Sequence, residues 1–218
     1  MSASVAARLL DVLGRQRVLG IVRAPDADAA ALRLGLMINA GLEAVEVSLS
    51  TPGALDVVAS TLAGAVGSGS GAVVGVGTVF SAAELDAAGD AGAQFVVTPT
   101  TDTGVLAAAR ARGLPVVCGA ATPTEVRTAL DGGALAVKLF PAGLWPVSAF
   151  KDLRGVFETV PFVPTGGIGV DDARSWIDAG ALAVGMGSAL TSGDVDVAAL
   201  LRTLAAPVAP ARPLETHS

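Results

Sequence analysis

Along the 218-residue chain, short apolar runs alternate with longer stretches in which apolar positions recur at helical spacing. The runs are Val18 to Val22, Ala44 to Leu49, Val73 to Thr78, Phe95 to Thr98, Pro115 to Cys118, Ala136 to Phe140, Phe162 to Thr165 and Ala183 to Met186. Their starts lie about 20 to 29 residues apart, and the segments between them, such as SAAELDAAGDAGA and TPTEVRTALDGGA, are rich in Ala and Leu. Eight strand and helix pairs in succession predict a parallel sheet closed into a (β/α)8 TIM barrel; the alternative is an open, doubly wound sheet. The punctuation agrees. Ser81 with Glu84 and Thr122 with Glu125 read as helix starts, and Gly41, Gly92, Gly113, Gly133 and Gly180 read as helix ends. Residues 1–16 predict an extra N-terminal helix, and the Pro-rich end from about 206 to 218 a mobile tail, within one domain spanning 1–218.

Two polar residues interrupt strands that are otherwise apolar. In Ala136-Val137-Lys138-Leu139-Phe140, alternation puts Lys138 on one face with Ala136 and Phe140. An unpaired ammonium inside a barrel costs several kcal/mol even after relaxation, so a lysine so placed is either paired or neutral. The chain has twelve arginines and two lysines, and the other lysine, Lys151, lies in a polar helical segment. In Ala44-Val45-Glu46-Val47-Ser48-Leu49 the same alternation groups Ala44, Glu46 and Ser48 against an aliphatic face. If that aliphatic face packs on the helices, Glu46 and Lys138 both point into the barrel. A buried ion pair serving stability alone is the competing reading, yet such a pair is often no more stabilising than aliphatic residues of equal volume. Thr78, Thr165 and Arg23 stand at strand C-terminal ends, where this fold builds its active sites.

Two glycine-rich turns follow the last two strands: Thr165-Gly166-Gly167-Ile168-Gly169 and Gly185-Met186-Gly187-Ser188. Glycine lets backbone N–H groups approach an anion, and the loops after strands 7 and 8 are the usual phosphate site of this barrel. Gly166, Gly167, Gly187 and Ser188 are therefore candidate phosphate-binding residues.

Composition narrows the field. A net charge of −6 removes the electrostatic footprint of nucleic-acid binding or of an anionic membrane surface. No run of roughly 18 to 20 apolar residues spans a membrane. Cys118 is the sole cysteine, read as a buried core thiol in a cytoplasmic protein, and the sole histidine, His217, lies in the expected tail, so no zinc-type metal site is predicted. The first strand continues as Leu19-Gly20-Ile21-Val22-Arg23-Ala24-Pro25, without a dinucleotide fingerprint.

The segments IVRAPDADAA, AGLEAVEVSLSTPGA, VGVGTVFSAAEL, AGAQFVVTPT, GLPVVCGAATPTEV, VKLFPAG, VPTGGIG and GMGSAL resemble, in order, the 2-keto-3-deoxy-6-phosphogluconate/phosphogalactonate aldolase family, over about residues 17–205. That resemblance implies a class I aldolase of carbohydrate metabolism, of Entner–Doudoroff type, trimeric and free of cofactor. Its substrate would be a phosphorylated 2-keto-3-deoxy sugar acid, and one product pyruvate. Lys138 matches the Schiff-base lysine and Glu46 the acid/base; Thr78 and Thr165 match positions that hold substrate and water, and Pro99 and Phe140 join Arg23 as substrate-binding candidates. One position departs: where the phosphogluconate enzymes read E-V-T-L-R-T, this chain reads Glu46-Val47-Ser48-Leu49-Ser50-Thr51, nearer the phosphogalactonate branch, whereas PTGGI with Thr165 looks like the phosphogluconate branch; Arg23 is the candidate to take over part of the anion binding. Cleavage of 4-hydroxy-2-oxoglutarate, or another reaction on a sugar phosphate in the same barrel, are the alternatives.

Overall fold

Each predicted run becomes a piece of one curled sheet in the computed structural model, which describes residues 4–64, 71–191 and 195–205. After α1 (Val5–Gln16) the chain passes through β1 (Val18–Val22), α2 (Ala27–Asn39), β2 (Ala44–Ser48), α3 (Ala54–Leu62), β3 (Val73–Gly77), α4 (Ala82–Asp90) and β4 (Val96–Val97). It continues through α5 (Thr103–Arg112), β5 (Val116–Ala120), α6 (Pro123–Asp131), β6 (Ala136–Leu139), α7 (Val147–Val156), α8 (Val170–Asp178), β7 (Val184–Met186) and α9 (Val197–Ala205). The strands are parallel and ordered β6-β5-β4-β3-β2-β1-β7.

Closure comes from the Phe162–Thr165 segment, which bridges β6 through Val137 and β7 through Gly185. It was expected as a full strand and forms single bridges instead. The reason is proline: Pro164 offers its carbonyl to the Gly185 N–H at 2.8 Å but has no N–H to donate back, and Pro161 is likewise only an acceptor, to Val137.

Local signals set the helices. Ser81 and Glu84 form a complete capping box on α4, and Thr122 accepts from the Glu125 N–H ahead of Pro123, which suits the first turn of α6. Gly41, Gly92, Gly113, Gly133 and Gly180 all have positive φ at or just past helix ends, where a Cβ would be strained.

Two cores result. One lies between sheet and helices, with Val45, Val47 and Val76 meeting Leu34, Val58 and Leu85. The other fills the barrel's N-terminal half with Leu19, Val73, Phe95 and Val117, and Leu9, Val12 and Leu13 of α1 plug that end. With the bottom closed by apolar side chains, the open mouth is at the C-terminal ends of the strands. The 206–218 end and His217 lie outside the described residues.

Candidate active site

Just above the apolar plug, the inward positions of the sheet turn from bulky to small. Parallel registers align Ile21 with Glu46 and Gly75 on one side of the barrel, and Gly119 with Lys138 on the other, while Thr165 bridges Gly185. The glycines leave space for the polar side chains. A Cβ on Gly77 would stand 2.5 Å from the Glu46 carboxyl carbon, one on Gly185 would collide with the Thr165 hydroxyl, and one on Gly119 with the Pro99 carbonyl. The result is a cavity of about 1040 Å³ at the mouth. Its walls include Arg23, Glu46, Thr78, Pro99, Lys138, Phe140, Thr165, Gly166, Gly167, Gly187 and Ser188, so each catalytic, substrate-binding and phosphate-binding candidate named from the sequence lines it.

Lys138 and Glu46 meet inside this cavity although 92 positions separate them. Lys138 is 5% exposed and Glu46 1%, and Lys138 Nζ lies 4.0 Å from Glu46 Oε1. That is too long for a direct hydrogen bond, yet one oxygen atom can sit within reach of both. The ammonium also stands 5.0 Å from the centroid of the Phe140 ring. Glu46 Oε2 is buried without a hydrogen-bond partner. Burial pushes the Glu46 carboxyl above the usual carboxylate range, opposed by the positive charges of Lys138 and then Arg23. An unsatisfied buried acceptor costs about 1–3 kcal/mol, a cost that a stabilising ion pair would be built to avoid.

Thr78 carries backbone strain. Its φ is 62°, in the left-handed region that a β-branched residue rarely enters. Its hydroxyl is tied to that of Ser48 at 2.7 Å, and Ser48 in turn to Ser50 at 2.8 Å. The serine that departs from the phosphogluconate pattern thus extends a hydroxyl chain from the exposed surface, through fully buried Ser48, to the cavity wall. The Thr165 hydroxyl donates to the Val163 carbonyl at 3.0 Å.

The two glycine turns form the upper wall. Gly166 and Gly167 have φ of 92° and 80°, and the 141–143 stretch packs on them through Gly143 N–H to the Gly166 carbonyl at 2.8 Å. Gly187 approaches the end of β1: a Cβ there would lie 3.2 Å from the Ile21 carbonyl. Arg33, from the middle of α2, also lines the cavity and donates to the Arg23 carbonyl. Neither Arg33 nor Phe80, a second lining residue, was singled out by sequence, because nothing in a helical or loop context marks a side chain that reaches a distant mouth.

Cys118 is fully buried and burial raises its thiol, consistent with a core role. Among the described residues no group of three or more His, Cys, Asp or Glu side chains could hold a metal ion, and no helix is long and apolar enough to cross a membrane.

A closed parallel barrel with a lysine and a carboxylate in its mouth defines a class of enzyme, and comparison with known proteins narrows it. The family model described as KDPG and KHG aldolase matches residues 9–202. The 2-dehydro-3-deoxy-6-phosphogalactonate aldolase of Escherichia coli K12 is 33% identical over 174 residues, covering 79% of this chain and 83% of that one. The 2-dehydro-3-deoxy-phosphogluconate aldolase of Zymomonas mobilis ZM4 is 37% identical over 166 residues, covering 74% and 76%. Among solved structures, the 2-keto-3-deoxy-6-phosphogluconate aldolase of Zymomonas mobilis ZM4 with 3-phosphoglycerate superposes with a TM-score of 0.75 at 30% identity, covering 91% of this chain and 96% of the other. The chain belongs to the KDPG and KHG aldolase family, and it is a carbon–carbon lyase. Aldolases of this family work through a Schiff base on a lysine and take no cofactor.

Proposed function

We propose that this aldolase cleaves 2-keto-3-deoxy-6-phosphogluconate or its galactonate epimer to pyruvate and glyceraldehyde 3-phosphate, with Lys138 as the Schiff-base lysine and Glu46 as the acid/base. The observation that carries the reading is the 4.0 Å approach of Lys138 Nζ to a buried carboxylate within the cavity. A keto acid seated there meets an amine, a proton carrier and, at its far end, the glycine turns.

The amine in its neutral form attacks the C2 ketone, and the carbinolamine oxygen takes a proton from Glu46 and leaves as water, giving an iminium. Glu46, now ionised, accepts the C4 hydroxyl proton, directly or through one water. The C3–C4 bond breaks, its electron pair passes into the iminium, and the aldehyde departs from an enamine of pyruvate. Protonation at C3 and hydrolysis of the pyruvate iminium restore the lysine. Thr78 and Thr165 hold the keto acid and water, Arg23 the carboxylate, Pro99 and Phe140 the carbon chain, and Gly166, Gly167, Gly187 and Ser188 the phosphate. The raised carboxyl of Glu46 fits both tasks, because a proton carrier works best when its pKa approaches the operating pH.

The reading includes a cytoplasmic homotrimer acting in carbohydrate metabolism of the Entner–Doudoroff type. Its test is pyruvate release, coupled to lactate dehydrogenase, from the gluconate and galactonate derivatives side by side. Turnover of at least one is expected; cleavage of neither, with 4-hydroxy-2-oxoglutarate cleaved instead, overturns the substrate assignment.

A further inference from the structure

The glycine turns supply backbone N–H groups but little positive charge for a phosphate. Gly166 and Gly167 make no backbone N–H hydrogen bond among the described residues, which leaves them available to an anion. The helix that follows the first of these turns, α8, carries Asp171 and Asp172 in its first turn, so its terminal dipole is already answered by acids. The chain as a whole is at −6. A phosphate dianion brought to this rim therefore needs a cation from elsewhere in the mouth.

Arg33 is placed to supply it. The side chain rises from the second turn of α2 and lines the same cavity as Gly187, Ser188 and Thr191. Its guanidinium is held at the end of β1 by one hydrogen bond to the Arg23 carbonyl. That strand end abuts the second glycine turn, since Gly187 packs against the Ile21 carbonyl. Arg33 also lines a neighbouring concavity with Leu190 and Thr191, which puts it at the corner between β1 and the turn after β7. Arg15, Arg112, Arg127 and Arg174 are each paired with carboxylates on the surface, whereas Arg33 has no carboxylate within 4.0 Å among the described residues. One N–H group orients the guanidinium, and the others remain for a ligand. A planar fork of donors suits phosphate oxygens better than a single ammonium would.

We propose that Arg33 is a specificity-determining residue: it binds the phosphate at the far end of the substrate, beside the second glycine turn, and so selects phosphorylated over unphosphorylated 2-keto-3-deoxy acids. The inference deepens the aldolase reading and rests on it for the identity of the substrate; anion binding by Arg33 can be measured without any turnover.

The test has two arms on the full chain, with wild type, R33Q, R33K, R23Q and the R23Q/R33Q double variant, each checked for folding by circular dichroism. In the first arm, calorimetric titration with inorganic phosphate should show the dissociation constant rising about tenfold in R33Q, the scale of one charge-assisted hydrogen bond, with R33K between. In the second, the ratio of kcat/KM for 2-keto-3-deoxy-6-phosphogluconate to that for 2-keto-3-deoxygluconate should fall by a similar factor, chiefly through KM. The double variant should bind phosphate more weakly than R23Q. Equal phosphate affinity in wild type and R33Q overturns the proposal, and so does a double variant no weaker than R23Q, which would mean that Arg33 only positions Arg23. If neither acid is cleaved while R33Q still weakens phosphate binding, the aldolase substrate fails and the anion site stands.

Discussion

At the scale of single residues, Glu46 carries a conflict between folding and chemistry. Its carboxyl is buried, partly unsatisfied and raised by desolvation, so the fold favours its protonated form. A carboxyl whose folded-state pKa exceeds its unfolded value contributes stability that is complete below the ordinary carboxylate range and is lost as pH rises through the raised value. Melting temperatures of wild type and E46Q, followed from that range upward, should therefore diverge, with wild type falling relative to the variant; parallel curves would remove the conflict. The same variant should lose about 10²-fold or more in kcat, the usual contribution of a positioned acid/base. Ser48 offers a second check. S48A cuts the link between Ser50 and Thr78, and should raise KM several-fold while S48T restores it; equal KM in all three would leave the hydroxyl chain without a part in binding. Ser48 was visible on the inward face of its strand, but its partner Thr78 comes from another strand, and only folding brings the two hydroxyls together.

Strands and helices show why some of this was legible in sequence and some was not. β1 has the bounds its apolar run predicts, and alternation in β2 and β6 correctly turned Glu46 and Lys138 inward, because side-chain direction in a strand is a local property. The Phe162–Thr165 run reads as a strand by its apolar content, while Pro161 and Pro164 reduce it to two bridges. Arg33 was illegible for a different reason: within α2 it is one more polar helix position, and its reach to the barrel mouth depends on where the next element packs. Interior glycines are likewise silent in sequence about what they accommodate. Gly77 makes room for the Glu46 carboxylate, so G77A should displace that side chain, at about 1–3 kcal/mol of stability and with a larger fractional loss of kcat than of expression or folding. Unchanged turnover in a folded G77A protein would show that the carboxylate position tolerates movement. By contrast S4A, which removes the N-cap of α1 at the plugged end of the barrel, should cost roughly 1 kcal/mol in urea denaturation and leave KM as it is.

For the molecule as a whole, the division of labour is between a plugged N-terminal end and an open C-terminal mouth. The apolar layer under Lys138, sealed by α1, keeps water from reaching the site from below, and all the polar residues of the cavity stand on the other side of it. The proposed trimer should appear in light scattering at three times the 21.4 kDa chain; a monomer mass would limit the assembly to this barrel alone. Everything in the chemical account depends on one nitrogen becoming bonded to a keto acid. Reduction with borohydride in the presence of pyruvate, followed by mass analysis of the peptides, tests that most directly. The account predicts a stable pyruvate-derived adduct on Lys138, absent without pyruvate and absent in K138M; an adduct on Lys151 instead, or none on an active enzyme, would contradict it.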